Sequence, residues 1–540
     1  MTWPAFADSM SCRRTPRRGV RNAPHVLVTT MSPLTYRITT LGCRVNHAET
    51  REMESVLLDR GFRAAGPAEV ADLEIVHSCS ITGTAATKSR HAVRRAVRRQ
   101  LGCVAAGPVS GCSKVHAHDP SLRPRGFSPK VIVTGCYAAT HAGEATGLTG
   151  DAWCVLPHET DDGSSLIDRF AGRLDAWLGR LEAQSPIRRP SAVSSSGAPA
   201  LPAIEPVPPA NGRVRAELRI QDGCDAHCTF CVVPGIRRTL RSKRIVDAVA
   251  EARRLVELGH REIVLTGIFI GAYGRTTALR HRQRNRHADP LADLLHALAG
   301  VPGLRRLRLS SMEPGDVTGP LLEAMVASAP IVVPHLHLPL QSGSDRILRM
   351  MNRQYRVGEY LEMIDRVSEA LSVEDSRGSL PPAITTDIIC GFPGETEADF
   401  RQTVSVARRV GYLHMHVFPF SAMPGTTAAR WRDRFVEGPV IRARVRALID
   451  LEEDAEEGLS IRYRRQLLGR AVRVILEQPD RNEPSLTTGR CDQYALIHLR
   501  SDRPRGSLVQ ARITEVTPAR TFGEVIGAPG GPALSDRSPR

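Results

Sequence analysis

The stretch Cys224-Asp225-Ala226-His227-Cys228-Thr229-Phe230-Cys231 decides how the rest of the chain is read. Three thiols share one short loop, spaced by four and then three residues, and no fourth cysteine follows nearby. Closed zinc and iron–sulfur sites take four protein ligands. Three thiolates can hold three irons of a [4Fe–4S] cube and leave the fourth iron open to a small ligand. An open coordination position marks a catalytic centre rather than a structural one. Ahead of the loop, Ala216-Glu217-Leu218-Arg219-Ile220 alternates apolar and polar residues, the pattern of a strand. The bland alternative is three buried or zinc-bound cysteines.

Downstream of that strand the pattern repeats. Strand candidates fall at 216–220, 262–266, 305–309, 334–338, 384–389 and 413–418, separated by helical stretches such as Val246–Leu258, Leu291–Leu298 and Thr396–Val410. Six β/α units make a partial barrel, whose reactive residues belong on the loops at the carboxyl ends of the strands. Ser310-Ser311-Met312-Glu313-Pro314, Leu340-Gln341-Ser342-Gly343-Ser344-Asp345 and Gly391-Phe392-Pro393-Gly394-Glu395-Thr396 fall there. The Arg/His-rich residues 276–288 read as a solvated insertion.

Upstream, Tyr36–Cys43, Leu73–Cys79 and Lys130–Cys136 each run as a buried strand ending in a cysteine. In an open parallel α/β sheet such ends line one edge, where ligands bind. Cys43, Cys79 and Cys136 can therefore converge as a second three-thiolate site. Cys103, Cys112 and Cys154 lack that setting, and Gly102 to Pro129 reads as an inserted loop. Lys88–Arg99 reads as a strongly basic helix, either a solvated face or one that meets RNA phosphates.

Residues 185–211, rich in Pro, Ala and Ser, read as a linker. An acidic helix is expected around Leu451–Leu459. Beyond it, Val472–Leu476, Tyr494–Leu499 and Leu508–Ile513 alternate like strands of a small barrel, an architecture that commonly holds oligonucleotides. The organisation read from these patterns is α/β: an N-terminal open parallel-sheet domain (36–184), a central partial (β/α)6 barrel (212–460) and a C-terminal small β-barrel (464–527). Residues 1–34 and 528–540 are expected to be disordered.

Lys+Arg 73 against Asp+Glu 57 gives a net charge of +16, which favours a polyanionic partner such as nucleic acid. Only four basic residues besides histidine are lysine, a bias that a GC-rich genome explains without explaining the net charge. Twelve cysteines in 540 residues do not make a disulfide scaffold; they suit a reducing, cytoplasmic setting and metal ligation. No run approaches the roughly 18 apolar residues of a membrane span. The Arg-rich residues 1–31 do not make a secretory signal; they read as a transit peptide or as sequence ahead of a start at Met31.

With both cysteine triplets in place, residues 36–526 resemble the radical S-adenosylmethionine methylthiotransferases, whose plan is a cluster domain, a radical partial barrel and a C-terminal TRAM domain. The segment Leu41-Gly42-Cys43-Arg44-Val45-Asn46-His47-Ala48-Glu49-Thr50 is most similar to the branch acting on N6-threonylcarbamoyladenosine of tRNA, beside the anticodon. Gln221–Cys224, His337–Asp345, Gly391–Thr396 and Gly489–Tyr494 are also similar to the family's segments. Five positions at three places depart from its pattern: His77-Ser78 where Asn-Thr is usual, Phe269-Ile270 in a normally polar turn, and Arg238 for a glycine.

The resemblance implies two [4Fe–4S] clusters and S-adenosylmethionine as cofactors. It implies that the Cys224/Cys228/Cys231 cluster binds S-adenosylmethionine and passes it an electron, so that a 5′-deoxyadenosyl radical takes a hydrogen from the substrate. The Cys43/Cys79/Cys136 cluster would supply sulfur, and a second S-adenosylmethionine the methyl group. This suits a target such as adenine C2–H, which side-chain acid/base chemistry would not break but a cofactor radical can. No side chain is assigned as acid or base. Glu313 and Gln341 are candidates for S-adenosylmethionine contacts from their strand-end positions, and Arg490 and Tyr494 for RNA contacts. The implied partners are tRNA and an electron donor of flavodoxin or ferredoxin type, with no membrane. The runner-up is the same chemistry on isopentenyl-adenosine tRNA or a ribosomal-protein aspartate; a non-enzymatic iron–sulfur RNA-binding redox protein is the remaining alternative.

Overall fold

The computed structural model describes residues 33–105, 130–149, 154–158, 165–184, 214–283 and 288–527. The expected linker, Cys112, most of the expected inserted loop and nearly all of both expected disordered ends lie outside them, and the side chains of Cys103 and Cys154 are likewise not described.

The N-terminal unit is an open, fully parallel sheet in the order β2-β1-β3-β4-β5, made of β1 (Thr35–Thr40), β2 (Arg63–Ala64), β3 (Leu73–Ser78), β4 (Lys130–Gly135) and β5 (Cys154–Leu156). Every residue of β3 is buried, as a central parallel strand covered on both faces must be. The helix Arg44–Asp59 follows β1 and buries Val45, Ala48, Met53 and Leu57. The basic helix Gly83–Ala105 buries Ala86, Ala92, Val93 and Ala96 and leaves Lys88, His91, Arg94, Arg95 and Arg98 exposed, a cationic stripe on one side. Arg90 and Arg99 are paired with Glu144 and Glu74.

The six strands read from the central sequence are present. β6 (Arg215–Asp222), β8 (Glu262–Gly267) and β9 (Arg306–Leu309) form one parallel run, with the short antiparallel β7 (Arg241–Ser242) at its edge. β10 (His335–His337) pairs with β13 (Ala383–Cys390), and β13 with β14 (His414–Pro419). Isolated bridges Leu307↔Val332 and Ser311↔His337 join the two runs into one curved half-barrel. Alternate strand residues, among them Ala216, Leu218, Ile263, Leu265, Leu307, Leu336, Ile384 and Ile388, form one core with the surrounding helices. Helix Glu397–Val410 shows why these units are local in sequence. Thr396 caps it in a box with Asp399, Arg408 and Arg409 sit in its last turn, and Gly411 (φ 70°) ends it.

Between β10 and β13 a hairpin, β11 (Val373–Asp375) and β12 (Gly378–Leu380), reaches the C-terminal barrel, whose core takes in Leu380. That barrel is closed in the order β15-β16-β17-β19-β18, from β15 (Ala471–Pro479), β16 (Thr487–Cys491), β17 (Leu496–Leu499), β18 (Leu508–Val516) and β19 (Thr521–Val525). β16 and β19 escaped the sequence reading because their Gly- and Thr-rich composition breaks the apolar alternation. The acidic helix expected around Leu451–Leu459 is two helices, Gly438–Glu453 and Leu459–Arg465. The Asp454 carboxylate accepts from the Glu456 and Glu457 backbone N–H groups and competes with helix propagation. Among the described residues no helix is long and apolar enough to cross a membrane.

Candidate active site: two thiol triplets and the joint between them

The loop Cys224–Cys231 leaves the carboxyl end of β6 through a register shift between Arg219 and Gln221. Gly223 (φ +81°) has to be glycine, because a Cβ there would lie 2.0 Å from Thr239 O. Backbone and side-chain bonds from distant segments then pin the loop. Cys224 N–H donates to Arg237 O (3.0 Å), Thr229 N–H to Met351 O (3.1 Å) and Ala428 N–H to Thr229 O (2.8 Å). Asp225 accepts from Thr277 Oγ1 (2.6 Å) and Ala278 N (2.7 Å). Residues 276–283 are thus not simply the solvated loop expected. Ala278 is fully buried, and Arg280 donates to Glu313 (3.0 Å) and keeps its side chain only 12% exposed.

Cys224, Cys228 and Cys231 share an apolar shell with Ala226, Val233, Ala272 and Ala278. Burial pushes all three thiols up; repulsion from sister thiols adds to it for Cys224 and Cys231, which reaches about 12, while Cys228 is raised further by Glu313 and eased by Arg353. Three mutually repelling sulfurs in an apolar pocket become thiolates together when a soft cationic metal centre pays for their charge. Arg353 is placed to help, its Nη1 donating to Cys228 Sγ at 3.2 Å while Nη2 meets Glu313 at 2.6 Å. Glu313 is therefore bound to the rim of the triplet through Arg353. Gln341 lies elsewhere on the same open end, in the left-handed region (φ 62°), its backbone bonded to Asp387 O and Ile389 N. Among the described residues no hydrogen bond joins Gln341 to the cysteine loop.

The dispersed triplet is built by the sheet. β1, β3 and β4 are adjacent and parallel. Cys43 caps the helix after β1, Cys79 directly follows β3, and Cys136 directly follows β4. The approach is close: a Cβ on Gly42 (φ +104°) would sit 2.8 Å from Cys79 Sγ. Burial pushes Cys79 and Cys136 up, and each is raised further by its sister thiols. The donor set of three soft sulfurs at one edge fits an iron–sulfur cube as the contiguous loop does.

A buried charge network, invisible in the sequence, joins the two triplets. Arg237, whose carbonyl holds Cys224, is 1% exposed. Its guanidinium donates to Glu49 (2.8 and 2.9 Å), to Asp222 (2.7 Å) and to His158 Nε2 (2.9 Å). His158 Nε2 is 4.0 Å from Cys136 Sγ, and Glu49 stands on the helix that Cys43 caps. Arg219 extends the joint to Glu52 (2.5 Å) and Asp222 (2.9 Å). Glu49 is fully buried, which by itself would raise its carboxyl, but Arg237 above all, with His77 and Arg219, holds it well below the ordinary range. His158 is pushed down to about 3 by burial and by Arg237, so it faces Cys136 as a neutral ring. The departure at His77 belongs to this joint, with Nε2 3.2 Å from Glu49 and Nδ1 3.1 Å from Thr50 Oγ1. Ile270 fills the core and Phe269 N–H donates to Gln221 (2.7 Å), so the apolar turn is packing, not pocket; Arg238 is exposed.

At the opposite end the C-terminal barrel closes the half-barrel. Arg306 and Arg308, both buried, share Glu262 and donate to the carbonyls of Arg473, Arg490, Cys491 and Asp492. Tyr494 stacks on His335 (4.4 Å) beneath Arg490 (4.4 Å), and its hydroxyl accepts from Arg44 (3.1 Å). Arg490 and Tyr494, the candidates for RNA contacts, both make contacts within this junction and remain partly exposed.

Comparison with known proteins agrees with these parts. Residues 218–407 match the Radical SAM superfamily, and residues 35–155 the uncharacterized protein family UPF0004. The threonylcarbamoyladenosine tRNA methylthiotransferase MtaB of Bacillus subtilis is 31% identical over 478 residues, covering 88% of this chain and 92% of its own. The tRNA-2-methylthio-N(6)-dimethylallyladenosine synthase of Nocardia farcinica is 32% identical, covering 89% and 87%. MtaB of Thermotoga maritima is 31% identical, covering 82% and 86%. Among solved structures the chain is similar to the radical S-adenosylmethionine methyltransferase TsrM of Kitasatospora setae, with TM-score 0.45, 11% identity and 74% of each chain covered.

Fold and site thus define a radical S-adenosylmethionine enzyme that uses [4Fe–4S] chemistry. More narrowly, the chain belongs to the tRNA methylthiotransferase family.

Proposed function

We propose that this enzyme inserts a methylthio group at C2 of N6-threonylcarbamoyladenosine next to the tRNA anticodon. The observation that carries the reaction is the pair of thiol triplets, one open-loop and one at a sheet edge, held in fixed register by Arg237. The substrate reading is supported by the Leu41–Thr50 segment; relatives named for the threonylcarbamoyl and the dimethylallyl nucleoside are 31% and 32% identical and do not separate the two.

In this reading Cys224, Cys228 and Cys231 hold the radical cluster, and Cys43, Cys79 and Cys136 hold the auxiliary cluster. The two clusters and S-adenosylmethionine supply the electron, radical, sulfur and methyl-group chemistry. The protein's part is positional. Arg353 donates to Cys228 and fixes Glu313, which is then set to accept from S-adenosylmethionine, with Gln341 as a second candidate contact on the same rim. The apolar shell around the loop excludes water. Residues 36–184, 212–460 and 464–527 serve as cluster, radical and RNA-binding TRAM domains. The exposed stripe Lys88, Arg94, Arg95 and Arg98 offers phosphate contacts. A flavodoxin- or ferredoxin-type donor would supply electrons in the cytoplasm.

Anaerobic reconstitution with iron and sulfide counting tests this, on the wild type and on the Cys224/Cys228/Cys231 triple alanine variant. Each is then incubated with S-adenosylmethionine, reductant and tRNA carrying either nucleoside. Two clusters in the wild type, one in the variant, and methylthiolated threonylcarbamoyladenosine from the wild type alone are expected. Product only from dimethylallyladenosine tRNA would keep the chemistry and discard the substrate.

A further inference from the structure

Along β10, β13 and β14 the helix-facing residues Leu336, Ile384, Ile388 and Met415 belong to the core. The alternate positions His335, His337, Thr385, Asp387, His414 and His416 therefore share the concave face. The amino end of that face is covered, with His335 buried and stacked on Tyr494. Two residues further along, the cover stops. A ring nitrogen of His337, a ring nitrogen of His416 and a carboxylate oxygen of Asp387 lie within 4.8 Å of one another. His337 Nε2 is 3.3 Å from Asp387 Oδ1, and its Nδ1 is fixed by Thr385 Oγ1 at 2.9 Å. Side-chain exposure is 12% for His337 and 26% for Asp387, and His416 is exposed. His337 O accepts from Met312 N (3.1 Å), in the segment that runs on to Glu313 and so to Arg353 and Cys228. The trio thus stands on the concave wall at the same end as the radical loop.

We propose that His337, Asp387 and His416 form the specificity-determining end of the substrate pocket and receive the carbamoyl-linked appendage on N6 of the adenosine. The inference rests on the substrate reading above. That appendage is a urea carrying a hydroxyl and a carboxylate. Its N–H and O–H groups suit the Asp387 carboxylate, and its carbonyl suits an imidazole N–H. The appendage's own carboxylate belongs on the His416 side, away from Asp387, where His414 packs edge-on at 4.4 Å against His416. His414 is the more cationic ring of the pair, raised by its bond to Glu452. A dimethylallyl group offers none of these partners. Seating it here would strip water from the exposed His416 ring and from the Asp387 oxygen that His337 does not hold and supply no partner in return, and sites built to hydrogen-bond a group reject analogues lacking it far better than apolar pockets reject a size change.

The test uses reconstituted holoenzyme and tRNA carrying threonylcarbamoyladenosine or dimethylallyladenosine, measuring Kd for both with wild type, His416→Leu and the isosteric Asp387→Asn. The wild type should prefer the carbamoyl tRNA by about 10-fold or more, and both variants should erase most of that preference by weakening carbamoyl binding alone. A preference unchanged in both variants, or affinity lost equally for both tRNAs, overturns the assignment while leaving the substrate reading intact. A wild type that prefers and modifies the dimethylallyl tRNA overturns both. One non-cluster metal ion per chain, present in wild type and lost in His416→Leu, overturns it in favour of a cation site.

Discussion

The two thiol triplets reach similar ends by opposite means. Cys224, Cys228 and Cys231 lie within eight residues, so the loop's own backbone sets their spacing and the fold only has to brace it. Cys43, Cys79 and Cys136 are brought together solely by the parallel register of β1, β3 and β4. A contiguous site is robust to changes elsewhere, whereas a dispersed one is only as exact as the sheet that carries it. What unites them is Arg237, which belongs to the first by its carbonyl and to the second by its guanidinium.

The sharpest way to test the contrast is to delete each triplet. The Cys224/Cys228/Cys231 alanine variant should lose both 5′-deoxyadenosine formation and methylthio transfer, by at least about 10³-fold. The Cys43/Cys79/Cys136 variant should keep forming 5′-deoxyadenosine and lose only transfer. Chromatography of the two products checks this; loss of both by the second variant would mean that the triplets are not separable in function.

Next in size is the joint. Arg237→Met removes the buried guanidinium that Glu49 and Asp222 share and leaves Arg219 as their remaining cation, so it should cost about 3 kcal/mol. Adding Glu49→Gln should recover part of that, so a chemical-denaturation double-mutant cycle should give a large coupling energy. Independent, additive losses would mean that the joint is not one unit.

How much of this the sequence shows follows the same division. The contiguous loop is legible at once because ligand spacing is a local property, and the dispersed triplet is legible because each cysteine closes a buried-strand pattern. The six strands of the central half-barrel and the helix after Thr396 are legible for the same reason, whereas β16 and β19 of the C-terminal barrel are not. The joint was not. Arg237 and Arg238 are adjacent identical residues, one buried and one exposed, and no periodicity distinguishes them. Tyr494 likewise reads as a free aromatic in a small barrel until the fold places His335 under it. Burial of charge is decided by contacts far away in sequence, such as Arg308 with Cys491, 183 residues on.

Acid provides a third comparison, between the Arg237 joint and the cysteine-free charge of Glu262 at the other end of the half-barrel. Burial would raise the Glu262 carboxyl, but Arg308 and Arg306 overcome it and hold it at about 2, against an ordinary value of 4.5. A depressed carboxyl contributes stability that is complete above its unfolded pKa and lost as pH falls through its folded one. Glu262 should therefore contribute about 3 kcal/mol above pH 4.5 that disappears toward pH 2. Melts at pH 5 and pH 3 should show the loss in the wild type, with Glu262→Gln already lowered and flatter between them.

The smallest effect sharpens the contrast most finely. Thr277 Oγ1 donates to Asp225 inside the contiguous loop, but Ala278 N–H supports the same carboxylate and Thr229 and Cys224 are held by separate segments. Thr277→Val removes one of several braces, so it should cost only about 1 kcal/mol in denaturation and leave the iron content of the reconstituted protein unchanged. A loop whose geometry is set by its own spacing tolerates that loss. If Thr277→Val instead depletes iron as severely as a cysteine deletion does, the loop depends on its distant braces as the dispersed triplet depends on its sheet, and the distinction between the two sites falls.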